Sequence, residues 1–185
     1  MDESLIKSLK SYSLSDGDIQ AILNPDTKIH TYDQLYKITH FDELLDNLGR
    51  CIILYLTESG TSGHWVGLIK KGNIIEFFDP YGNFPDTQNE ALNVPDSINE
   101  QFGQNHPRLL ELIGKAGYGL VYNNKPLQKE DMNIATCGRH TTMRLLFYKL
   151  SLEQYYKLME TLKKTKNIKS IDDVVTKFTN EFINK

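Results

Sequence analysis

His64-Trp65-Val66-Gly67-Leu68-Ile69-Lys70-Lys71-Gly72-Asn73-Ile74-Ile75-Glu76-Phe77-Phe78-Asp79 reads as two β-type runs, His64 to Ile69 and Asn73 to Asp79, folded around Lys70, Lys71 and Gly72. With Lys71 and Gly72 as the two turn residues, Lys70 faces Asn73, Leu68 faces Ile75, Val66 faces Phe77 and His64 faces Asp79. Opposed residues share a sheet face with Cβ atoms about 4.5 to 5.5 Å apart, so the carboxylate is expected to accept a hydrogen bond from the imidazole Nδ1. Such a contact fixes the ring tautomer and supports an imidazolium. Turn type decides the pairing, because a one-residue slip sends every side chain to the other face.

Outward from the hairpin, Cys51 to Leu56 is a short apolar run of strand type, and Glu58 to Gly63 is a Gly/Ser/Thr loop. Residues 1–50 read as helical, with Leu5, Ile6 and Leu9 on one face and a capping box of Ser15 with Asp18. Residues 80–107 hold Pro80, Pro85, Pro95 and Pro107 among many Asn, Asp and Gln, and read as irregular connection. Tyr118 to Tyr122 is a further strand candidate. Helices follow Cys137: Met143, Leu146 and Phe147 are helically spaced, Ser151 with Gln154 and Ser170 with Asp173 start two more, and Ile171, Val174, Val175, Phe178 and Phe182 form one apolar face. The expected fold class is α+β, a small mainly antiparallel sheet flanked by N-terminal and C-terminal helices.

At 185 residues the chain suits one domain, 1–185, with a helical part at 1–50, a core at 51–148 and C-terminal helices at 149–185. Charged residues at 24% and hydrophobic residues at 39% exclude a disordered chain, and a net charge of -3 supplies no global attraction to nucleic acid. Lys163, Lys164, Lys166 and Lys169 read as a solvated helix end. Two cysteines are too few for a disulfide framework, which favours a reducing compartment. The start, Met1-Asp2-Glu3, lacks a secretory pattern, and no apolar run approaches the roughly 18 residues of a membrane span. A soluble intracellular protein is the expectation. His30, His40 and His106 lack metal-ligand spacing with the cysteines, so neither metal nor cofactor is expected.

Cys137 precedes Gly138 and a helical pattern, a position where the helix dipole favours thiolate. Its backbone amide could donate to an oxyanion, with the side-chain amide of Gln128 as the second donor. A lone cysteine before a helix is more often inert, and Asp79-Pro80-Tyr81-Gly82 by itself is a turn sequence. The four residues together, in the order His64, Asp79, Gln128, Cys137, carry more weight. Cys51, inside the apolar run, reads as core. His140, three residues after Cys137, is a weaker candidate base because the helix offers it no neighbouring carboxylate.

These segments, His64-Trp65, Phe78-Asp79-Pro80-Tyr81-Gly82, Gln128 and Cys137-Gly138, resemble the adenovirus maturation protease (adenain) and the related SUMO-deconjugating proteases over residues 51–148. The resemblance implies an adenain-type cysteine protease fold, with Cys137 as nucleophile, His64 as base, Asp79 as orienting acid and Gln128 as oxyanion donor. Trp65 would be an aromatic lid over the residues before the scissile bond, restricting cleavage to Gly-rich sites. It further implies maturation of viral capsid precursors, with the enzyme in the virion and host cytoplasm, and similar proteases occur in large DNA viruses and virophages. Activation by DNA or a peptide, known for adenain, is not indicated by this charge. A deconjugase for ubiquitin-like proteins and an inactive protease-like binding module are the alternatives. Gln128 stands nine positions before Cys137, further than usual in the family, so its loop must bulge or Asn133 must substitute. The third member is Asp79, as in the SUMO proteases, where adenain has Glu.

Overall fold

A computed structural model describes residues 2–57 and 62–183. In chain order the elements are α1 (Glu3–Ser11), α2 (Asp16–Ile22), β1 (Lys28–Thr31), two 3-10 turns (Tyr32–Lys37 and Phe41–Leu44), β2 (Arg50–Leu56), β3 (Gly63–Lys71) and β4 (Ile74–Phe78). There follow α3 (Gln88–Ala91), α4 (Asp96–Gln101), α5 (Arg108–Lys115), β5 (Gly119–Tyr122), α6 (Cys137–Leu146), α7 (Leu152–Thr165) and α8 (Ile171–Ile183). The fold is α+β. Its five strands lie in the order β1-β2-β3-β4-β5, antiparallel through the middle and parallel at both edges, so the sheet is mixed. Most of the expected loop at Glu58 to Gly63 falls outside the described residues.

Side-chain alternation divides the sheet into two buried faces. Cys51, Ile53, Tyr55, Val66, Leu68, Ile75 and Phe77 face the first 3-10 turn and α5, packing on Tyr32, Leu35, Leu109 and Leu112. Ile52, Leu54, Leu56, Trp65 and Ile69 face α2 and α6. Cys51 is core, as expected, and burial pushes its thiol far above the ordinary range. α6 lies across β3 at Gly67, where a Cβ would stand 2.5 Å from Leu145 Cδ1 and 3.1 Å from Thr141 Cγ2. The missing side chain is what admits the helix. Gly67→Val should therefore cost about 1–3 kcal/mol by overpacking, read as a lower midpoint in denaturant at unchanged slope.

The hairpin turn sits one position later than in the sequence reading, which shifts the cross-strand pairing by two. Lys71 pairs with Ile74 and Gly67 with Phe78, leaving Gly72 and Asn73 as the turn residues. Gly72 has φ +60°, the conformation a II′ hairpin demands at its first turn position. Two regions expected to be simple are not. Residues 1–50 contain the edge strand β1 besides helices, and residues 80–107 contain the short helices α3 and α4. The polar residues of the second region are partly internal: Gln104 accepts from Leu56 N–H at 2.6 Å and donates to Leu56 O at 2.8 Å, closing the end of β2. The capping boxes at Ser15 and Ser151 form as expected. Lys169 of the basic run pairs with Glu3 at the surface.

Candidate active site

β3 carries His64 at its beginning and β4 delivers Asp79 just past its end. The imidazole Nε2 and Asp79 Oδ1 are 2.7 Å apart, with both side chains buried. The nitrogen is Nε2 rather than the expected Nδ1. The β3–β4 ladder stops at Gly67 and Phe78 and the chain turns over Asp79 to Gly82, where Gly82 N–H donates to Asp79 O at 2.8 Å, so Asp79 meets His64 from the start of a turn and not as a paired strand residue. The slip of two positions keeps parity, and the pair survives on one face. With Nε2 committed to Asp79, Nδ1 is left for another partner.

Cys137, the first residue of α6, is the other group that acts on the ring, the thiol and His64 shifting each other's proton affinity through hydrogen bonding and charge. Trp65 and Gly138 N–H groups also donate to the sulfur. Burial alone would raise the thiol, but the hydrogen bond and charge of His64 and the two amides outweigh it, and Cys137 lies below its ordinary value. For His64, burial favours the neutral ring, while the charge and hydrogen bond of Asp79 and then Cys137 raise it to about 10. For Asp79, burial raises, but His64, Gln88 and the Tyr81 amide hold the carboxyl below its usual range. The arrangement therefore favours a thiolate beside an imidazolium beside a carboxylate.

Asp79 is more enclosed than a turn cap would be. Gln88 Nε2 donates to Oδ2 at 3.0 Å, Tyr81 N–H donates to Oδ1 at 2.8 Å, and Asn123 brackets the backbone, accepting from Asp79 N–H at 2.7 Å and donating to Asp79 O at 2.5 Å. Tyr81 stacks on His64 at 5.0 Å between centroids, 17° from parallel. Gln88 and Asn123 are not named by the sequence reading, and Tyr81 appears there only as the aromatic of the Phe-Asp-Pro-Tyr-Gly segment.

Gln128 is buried next to this group: its Nε2 donates to Tyr81 Oη at 3.1 Å and to Ile134 O at 3.4 Å, while Oε1 is buried without a hydrogen-bond partner. Asn133 is exposed, its amide donating to Asp131 Oδ1 at 3.2 Å. Trp65 is only 4% exposed, its indole N–H donating to Leu14 O at 3.2 Å and its ring lying against Gly138. It forms one wall of a groove of about 550 Å³ shared with Leu14, Ser15, Leu54 and Gly63.

His140 departs from expectation. It has a carboxylate after all, Asp172 at 3.0 Å, supplied by α8 rather than by its own helix. Among the described residues no group of three or more His, Cys, Asp or Glu could hold a metal ion, and no helix is long and apolar enough to cross a membrane.

No established family profile matches the sequence. Protein V9 of the Sputnik virophage, itself uncharacterized, is 34% identical over 161 residues, spanning 85% of this chain and 90% of that protein. Among solved structures, the central domain of the uncharacterized Lpg1148 protein from Legionella pneumophila aligns over 94% of this chain and 99% of its own, at 15% identity and a TM-score of 0.42. The SUMO protease Ulp1, with its catalytic cysteine oxidized to a sulfinic acid, aligns over 97% of this chain and 87% of its own, at 14% identity and a TM-score of 0.37.

Proposed function

The chain belongs to the family of the Sputnik virophage protein V9, and from its site we propose that it acts as a cysteine endopeptidase. The observation that carries the reading is the unbroken line from the Cys137 thiol through the His64 ring to Asp79, in which a buried thiol is nonetheless held below its ordinary pKa. In this reading the Cys137 thiolate attacks a peptide carbonyl, forming the S–C bond while the carbonyl π electrons move to oxygen. The first amides of α6 and the Gln128 carboxamide receive the oxyanion, Gln128 turning from Tyr81 to do so. The imidazolium of His64 protonates the leaving amine as the C–N bond breaks, and then takes a proton from the water that hydrolyses the thioester. Asp79 holds the ring between the two transfers.

The groove beside Trp65 receives the residues before the scissile bond, and its buried indole favours glycines there. With a virophage relative, the substrates proposed are capsid precursors cleaved at Gly-rich sites, the enzyme travelling in the virion. Incubating the protein with structural precursors from the same genome, and reading new termini by mass spectrometry, should show cleavage at Gly-containing sites that is lost in Cys137→Ala. Precursors left intact by the unmodified protein would refute the assignment.

A further inference from the structure

The groups that hold Cys137 and Gln128 in place converge on a second carboxylate, far along the chain and outside the reacting set. Asp172, in the first turn of α8, is 2% exposed. Its Oδ1 accepts from Thr136 Oγ1 at 2.5 Å and faces His140 Nε2 at 3.0 Å. Its Oδ2 accepts from Lys129 N–H at 3.2 Å. Thr136 immediately precedes the nucleophile, His140 lies one turn into the same helix, and Lys129 immediately follows Gln128.

Resting on the peptidase reading, we propose that Asp172 is a positioning residue that sets the placement of the Gln128 carboxamide relative to Cys137. The two oxygens divide the work: Oδ1 holds the start of α6, and Oδ2 holds the loop bearing the oxyanion donor. Leu127 and Gln128 N–H groups are already fixed on Pro80 O, at 2.9 and 3.1 Å, so Lys129 N–H is the tether on the other side of Gln128. A carboxylate suits the junction because it can accept on both oxygens at once, which a carboxamide cannot. The spacing of nine residues between Gln128 and Cys137 leaves a loop long enough to need this tie.

Asp172→Asn tests the division. The asparagine Oδ1 can still accept from Thr136, but its amide nitrogen meets Lys129 N–H donor to donor and frees that loop. With a fluorogenic peptidyl-Gly-Gly amide, kcat should fall about tenfold or more at nearly constant KM, while the rate of Cys137 alkylation by iodoacetamide stays within about twofold. In a Gln128→Ala background the same substitution should change kcat by less than about twofold, because the tether acts only through that side chain. An undiminished kcat in Asp172→Asn, or an equal fold-loss with and without Gln128, would overturn the inference while leaving the peptidase reading intact. An unmodified protein that turns over no peptide would overturn both. Should Asp172→Asn fail to fold, Lys129→Pro removes the same hydrogen bond from the opposite side and must reproduce the loss in kcat.

Discussion

Substituting His64 by alanine should lower peptide cleavage by about 10²–10⁴-fold and slow alkylation of Cys137 at pH 7 by roughly 30-fold or more. The two losses share one cause. Burial of Cys137 opposes the thiolate, and the largest opposing influences are the hydrogen bond and charge of His64. With the ring removed, burial acts against only the Trp65 and Gly138 amides, so the thiol should rise. In the unmodified protein cleavage should grow as pH rises through the lowered Cys137 value, below the ordinary 9.0, and fall as the imidazolium loses its proton near about 10. In His64→Ala the acid limb should move upward past the ordinary thiol range. Iodoacetamide labelling across pH, followed by peptide mass spectrometry, measures this directly. Cys51 serves as the internal reference, since its buried thiol lies far above the ordinary range and should stay unlabelled in both proteins. Equal labelling rates for Cys137 with and without His64 would sink the ion-pair description.

Why the His64 and Asp79 pair could be read from sequence while its surroundings could not is a matter of contact order. The two residues are joined by one hairpin, so alternation and a turn signal suffice to put them on one face, and the slip to Gly72 and Asn73 did no harm because it was even. The identity of the bonded nitrogen is not legible, since Asp79 lies past the last ladder pair, in a turn whose geometry the alternation does not encode. Cys137 was legible through the helix pattern that follows it. Asp172 was not, because it meets His140 and Thr136 across 32 and 36 positions, and the spacing within a helix carries no record of what a distant helix supplies. Gln88 and Asn123 were hidden for a different reason. A polar stretch reads as surface, yet Gln88 is fully buried and Asn123 nearly so, each satisfying hydrogen-bonding groups of Asp79. The parallel edge strand β1 was missed because a parallel partner needs no adjoining turn, and Lys28–Thr31 is too short to show alternation.

Arg144→Met should be the most destabilising substitution on α6, by about 3–5 kcal/mol. Arg144 is fully buried. Its Nε and Nη2 donate to the two Glu76 oxygens at 2.7 and 2.9 Å, while Nη1 and Nη2 also donate to Phe147 O and Leu150 O, both at 2.8 Å. The guanidinium lies 5.1 Å from the Tyr155 ring centroid. The pair thus ties the C-terminal end of α6 to β4 and to the turn into α7, roughly 10 Å along the helix from Cys137 at 1.5 Å per residue. Losing the arginine leaves Glu76 buried on the sheet with Lys71 alone, 2.8 Å away and partly exposed, and takes one of two donors from each carbonyl, Phe147 O keeping the Leu150 N–H and Leu150 O keeping Lys71. For a chain of this size the melting temperature should drop by about 10 °C, since 1 kcal/mol corresponds to roughly 2–4 °C. The double variant Glu76→Leu with Arg144→Met should recover much of that loss, because the large penalty comes from orphaning the carboxylate rather than from forgoing the pair. Calorimetric melts of the two variants decide the matter: a double variant no more stable than Arg144→Met would show that the pair itself, and not an uncompensated buried charge, holds α6 in place.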